Sequence, residues 1–167
     1  MDENGRTKRL ALVASKGTLD QAYPPLILAT TAVAMGWEAG IFFTFYGLNL
    51  IHKDRMEHLR VSPLGNPAMP PPIPSIPALK VPNLVGALPG MTAMATMMMQ
   101  GMMDKAKMPS IKDLMDICIE GDVQLFACAT TMGVMKIEQS DLIPAAKCAG
   151  ATSFLNYAAD ADISLFV

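Results

Sequence analysis

Three cysteines, Cys118, Cys128 and Cys148, are the side chains in this 167-residue chain best suited to covalent chemistry. Only the thiolate is a nucleophile, so the surroundings decide which of them reacts. Cys128 follows the apolar run DVQLFA (122–127) and precedes Ala129-Thr130-Thr131-Met132-Gly133. That pattern predicts a buried strand giving way to a helix, with the cysteine at the carboxyl end of the strand. Ligands of open α/β sheets bind at that end. The positive end of a following helix and its free N–H groups favour a thiolate there. Thr130, Thr131 and Met132, which open that helix, are candidate substrate contacts. The competing reading makes Cys128 a small buried hydrophobe. No His or Asp adjoins it in sequence, so no hydrolytic dyad is written there.

Cys118 lies among Leu114, Met115 and Ile117 and reads as core packing. Cys148 ends a weaker strand candidate. Packing is its plainer reading, but as a second thiol it would resolve a persulfide or sulfenic acid on Cys128 if the two strands are neighbours. Lys16-Gly17-Thr18-Leu19-Asp20 follows the first apolar run and should open on the same sheet edge. Gly17 permits a close backbone approach, and Thr18 or Asp20 either caps the next helix or touches a ligand. Neither GxGxxG nor a Walker loop is present, so no nucleotide cofactor is expected. His52 and His58 are six apart in a charged stretch, which predicts a solvated helix face and no metal site.

The elements that must position these residues alternate. Residues 10–14 (LALVA) read as a strand, 21–35 as a helix closed by Gly36, and 41–45 as a second strand. Pro24 and Pro25 are tolerable only near the first turn of that helix. Ser110 is a good N-cap for a helix over 111–119, with Asp113 at the third position. Strands over 122–127, 143–148 and 163–167 follow, with helices over 130–136 and 149–159 between them. Five strands alternating with helices predict a three-layer α/β/α domain with a mostly parallel five-stranded sheet.

Between the second and third strands the composition changes. Nine of the thirteen prolines fall between Pro63 and Pro89. No charged residue occurs from Val81 to Met103, and Met91, Met94, Met97, Met98, Met99, Met102 and Met103 crowd its second half. The chain therefore reads as one domain, 1–167, with a Pro/Met-rich insertion at 62–108. The uncharged stretch is long enough to cross a bilayer, which takes about 20 apolar residues. Its prolines and glycines favour an oligomer interface or an apolar lid over the thiol, with membrane contact through 81–103 as the alternative.

Half the residues are apolar (51%) and only 17% are charged, so too few charges are available to cover a lone domain. Some apolar surface is therefore expected to meet another subunit or a membrane. Thirteen basic against fifteen acidic residues give a net charge of −2 and argue against nucleic-acid binding. Three cysteines are no disulfide framework. Met1–Arg9 carries no apolar signal segment, so a reducing cytoplasm is the expected compartment.

Gly17-Thr18-Leu19-Asp20, the block FFTFYGLN (42–49), the Met-rich segment and FACATTMGVM (126–135) together resemble the DsrE/DsrF/DsrH-like family, in its branch with a Pro/Met-rich insertion. The likeness runs from about Arg9 to Val167. It implies a cytoplasmic, oligomeric sulfur carrier or sulfurtransferase with sulfane sulfur held as a persulfide on the strand-end cysteine, here Cys128. It implies exchange with rhodanese and TusA-like partners, no cofactor, and for this branch an association with membranes. Cys148-Ala149-Gly150 departs from the family's apolar residue before a Gly-Gly pair. A non-catalytic scaffold and a thiol peroxidase are the competing readings. A peroxidase site usually includes an arginine, and none occurs after Arg60.

Overall fold

Short apolar runs flanked by turn residues build the sheet in the computed structural model, which describes residues 5–62, 64 and 83–167. The strands are β1 (Arg9–Ala14), β2 (Glu38–Phe43), β3 (Gln124–Cys128), β4 (Ala146–Ala149) and β5 (Ile163–Phe166). All are parallel, in the order β4-β3-β2-β1-β5. Parallel strands need crossovers, and helices supply them. They are α1 (Leu19–Ala34), α2 (Asn83–Gly86), α3 (Met91–Lys105), α4 (Ile111–Glu120), α5 (Ala129–Met135) and α6 (Ala151–Ala159).

Side-chain alternation divides the sheet into two faces. Leu10, Leu12, Ile41, Phe43, Leu125 and Ala127 are buried on the face covered by α1 and α4. Ala11, Phe42, Cys128 and Phe154 form the core of the other face, with Phe126 and Tyr157 packed against them. Phe154 of α6 stacks on Phe42 at 4.9 Å between ring centres. The chain is therefore a three-layer α/β/α fold with an entirely parallel sheet.

Local signals account for two of the helix ends. Ser110 accepts from the Asp113 N–H (3.1 Å) while the Asp113 carboxylate accepts from the Ser110 N–H (2.9 Å), closing the capping box of α4. Gly36, at φ +74°, ends α1 in the left-handed region where glycine costs least. Helix α1 starts two residues earlier than its sequence pattern suggests. Pro24 and Pro25 thus sit inside it, beyond the first turn. Without N–H groups they cannot close the bonds back to Asp20 and Gln21.

The contacts divide the chain into two compact units. One is Met1–Leu59 with Pro109–Val167 and carries the sheet; the other is Arg60–Met108. In the second unit the Thr96 hydroxyl accepts from the Val61 N–H (3.0 Å) and donates to the Thr92 carbonyl (2.8 Å). Most of the proline-rich segment, residues 65–82, lies outside the described residues. Residues 83–103 do not form one spanning helix. Gly90, at φ +90°, caps a separate α3, and no helix among the described residues is long and apolar enough to cross a membrane.

His52 departs from the solvated face expected of it. It is buried, and its Nδ1 accepts from the Asp54 N–H at 3.1 Å. Residues 51–53 pair with 141–143, which draws the ring inside. Burial, aided by Arg55, holds its pKa below the ordinary 6.5. The unfolded chain then binds a proton that the folded chain refuses, so stability rises with pH through that window and falls below pH 6.5. Urea midpoints measured across this range should show the acid-side loss, and His52→Gln should flatten it.

Candidate functional site

Cys128 is the last residue of β3 and the N-cap of α5. Its side chain is 8% exposed. The Thr131 hydroxyl, one helical turn on, donates to its sulfur at 3.3 Å. The same hydroxyl oxygen lies 2.9 Å from the Thr44 hydroxyl, just past the end of β2. Thr131 has one hydroxyl proton and directs it to sulfur, so Thr44 must donate in the second bond. A donor chain Thr44→Thr131→Cys128 results, and such chains strengthen each member.

Burial pushes the Cys128 thiol up, but the opposing donors outweigh it. The Thr131 hydroxyl and N–H, the Thr44 hydroxyl and the Thr130 N–H together hold it below the ordinary thiol value of 9.0. No N–H of α5 closes a cap bond to the sulfur in this state; the two backbone groups act on the charge. Cys118 is the contrast. It is fully buried, with no compensating donor, and its thiol is pushed up to about 12.

Hydrogen bonds to charged groups are worth about 1.5–3 kcal/mol. Thr131→Val should therefore slow alkylation of Cys128 by iodoacetamide at neutral pH roughly tenfold. The midpoint of its pH profile should move up. Thr44→Val should shift the profile the same way by less, and Thr44→Ser should leave it in place. A profile unmoved by either valine would remove the hydroxyl chain from the account.

The other residues singled out by sequence fall in several places. Met132 is buried in α5 and Thr130 is exposed at its start. Gly17 lies against the backbone and Cβ of Tyr46, where a side chain would collide. Thr18 is the N-cap of α1, and Asp20, in its first turn, accepts from the Gln21 amide at 3.2 Å. The 45–51 turn joins this loop to the end of β2, since Gly17 meets Tyr46 and Thr44 meets Thr131.

Strands β3 and β4 are neighbours, yet Cys148 pairs with Ala127 while Cys128 pairs with Ala149. Paired residues of parallel strands share a face and consecutive ones alternate. The two thiols thus belong to opposite faces of the sheet. Cys148 is exposed on the edge strand, whose outer groups are bridged by Gln139: its amide donates to the Ala146 carbonyl (2.7 Å) and accepts from the Cys148 N–H (3.1 Å). That bridge blunts an otherwise open edge.

Thr44 is the site residue that sequence reasoning missed. Its signal was a hydroxyl directly after a buried strand, at the same sheet end as the cysteine. Arg6 and Arg9 bond to Asp162 and Glu38 beside the amino ends of the strands, and Arg55 to Asn49. Among the described residues no group of three or more His, Cys, Asp or Glu side chains is placed to hold a metal ion.

The arrangement can hold a sulfur anion and stabilise it as either nucleophile or leaving group. A model of the DsrE/DsrF/DrsH-like family matches residues 6–166. The sulfur carrier protein DsrE2 of Allochromatium vinosum is 43% identical over 160 residues, covering 96% of this chain and 98% of that protein. The uncharacterized protein YrkE of Bacillus subtilis is 26% identical over 165 residues, covering 97% and 98%.

Proposed function

Because the chain belongs to the DsrE/DsrF/DrsH-like family, we propose that it is a sulfur carrier that binds sulfane sulfur as a persulfide on Cys128. The observation that carries this reading is the hydroxyl chain from Thr44 through Thr131 to the Cys128 sulfur. In loading, the Cys128 thiolate attacks the outer sulfur of a donor persulfide. A new S–S bond forms, the donor's S–S bond breaks, and the donor leaves as a thiolate that takes up a proton. In unloading, an acceptor thiolate attacks the outer sulfur and Cys128 departs as thiolate. A thiol of lower pKa leaves faster, so the donors that prepare Cys128 for attack also ease its release.

Rhodanese and TusA-like carriers are the proposed donors and acceptors. Exposed Phe45, Tyr46 and Val134, on the elements flanking Cys128, offer such a protein apolar surface. A homo-oligomer in a reducing compartment completes the reading, supported by the exposed Ile163, Leu165 and Phe166 of the edge strand β5.

The test is intact-mass spectrometry after incubation with polysulfide or thiosulfate, followed by addition of an acceptor thiol protein. One sulfur atom should load on Cys128 and then appear on the acceptor. A chain that takes no sulfur from donors that load other carriers would return Cys128 to a structural role.

A further inference from the structure

Seven of the thirteen residues from Met91 to Met103 in α3 are methionine. At 3.6 residues per turn, Met91, Met94, Met98 and Met102 fall within about 80° around the helix axis. Successive members are three or four residues apart, which places their Cβ atoms about 5–6 Å from one another. Met102 is exposed, and Met91, Met94 and Met98 are half-buried, so the stripe is open to solvent. The buried residues of the helix, Ala95 and Thr96, are not part of it.

Ordinary core packing does not require this composition. Ordering a methionine costs about 1.5–2 kcal/mol of side-chain entropy against about 0.5–1 for leucine. Leucine is an equally good helix former. What methionine adds is a soft sulfur donor. No charged residue lies between Val81 and Met103, so the donor set is neutral. Neutral thioethers do not replace the water of a hard cation, but they suit Cu(I) and its analogue Ag(I).

We infer that the Met91, Met94, Met98 and Met102 stripe of α3 binds a soft monovalent cation, Cu(I). Met94 and Met98 are the central pair, and Met91 or Met102 is the third ligand. Flexible thioethers one helical turn apart suit digonal or trigonal coordination. The site requires no thiol and is independent of the persulfide chemistry.

The full chain carrying Cys128→Ser and Cys148→Ser, titrated anaerobically with Cu(I)–bicinchoninate under ascorbate, should withdraw about one copper per chain. Wild-type protein with its accessible thiols alkylated should do the same. With methionine methyls labelled by ¹³C, Ag(I) should move the signals of Met91, Met94, Met98 and Met102 and leave those of buried Met115 and Met132 in place. Met94→Leu combined with Met98→Leu should lose about tenfold or more in Cu(I) affinity with unchanged helical circular dichroism. Met97→Leu, off the stripe, should bind as before. Failure of both thiol-blocked proteins to take up Cu(I), undiminished affinity in the double leucine variant, or displacement of the copper by Zn(II) would overturn the assignment.

Discussion

Cys128→Ser protein should gain no sulfur from polysulfide, whereas the wild type should gain one sulfur atom that maps to Cys128. Serine keeps the size and an acceptor for the Thr131 hydroxyl, so the strand-to-helix junction stays intact. It loses the reacting anion, because a serine hydroxyl with no general base beside it is not ionised at neutral pH. The remaining thiols do not substitute. Cys118 is fully buried with its thiol pushed up to about 12, so it stays protonated and out of reach. Cys148 is exposed but lies on the opposite face of the sheet, away from the Thr131 hydroxyl. Intact mass and peptide mapping decide the matter. An adduct retained in the variant, or mapped to Cys148, moves the site and dissolves the role given to the hydroxyl chain.

Gly47→Ala should destabilise the fold by about 3 kcal/mol or more, at the upper end of overpacking costs. A Cβ at this position would drive into the Ala14 carbonyl. The far end of a flexible side chain can swing away, but this neighbour is backbone. The Ala14 carbonyl is held in place by the Thr44 N–H at 3.0 Å. Gly47 itself donates to the Thr44 carbonyl (2.9 Å) and the Ser15 carbonyl (3.2 Å). A shift that admits the methyl group therefore pulls on Thr44 and loosens its hydroxyl from Thr131. Urea denaturation should show the stability loss, and slower alkylation of Cys128 should accompany it. Gly133→Ala is the control. Nothing lies within 4 Å of a Cβ there, and the residue is helical. It should be neutral or stabilising by up to about 1 kcal/mol. Equal effects at the two glycines would contradict the close packing argued for the sheet end.

Much of this was legible locally. An apolar run ending in cysteine and followed by small hydroxyl residues marks a strand-to-helix junction, because strand and helix periods are properties of neighbouring residues. The Ser110–Asp113 capping box and Gly36 were readable for the same reason. The errors were also local in origin. Charged neighbours suggested a wet surface for His52, but its pairing partner comes from residues 141–143. Pro24 and Pro25 implied a helix starting close by; tertiary packing of α1 on β1, β2 and α4 overrides their propensity.

By itself the sequence determined which residue is the strand-end cysteine and that five strands alternate with helices. Each follows from side-chain periodicity over a few residues. Only the tertiary structure decided what surrounds the sulfur and which thiols share its face. Thr44 and Thr131 are 87 residues apart, and they meet because β2 lies beside β3 in the sheet. Cys148 is on a neighbouring strand yet on the other face, because a register offset of one residue reverses the direction of every side chain. Strand order and register arise from long-range burial, which no short window of sequence contains.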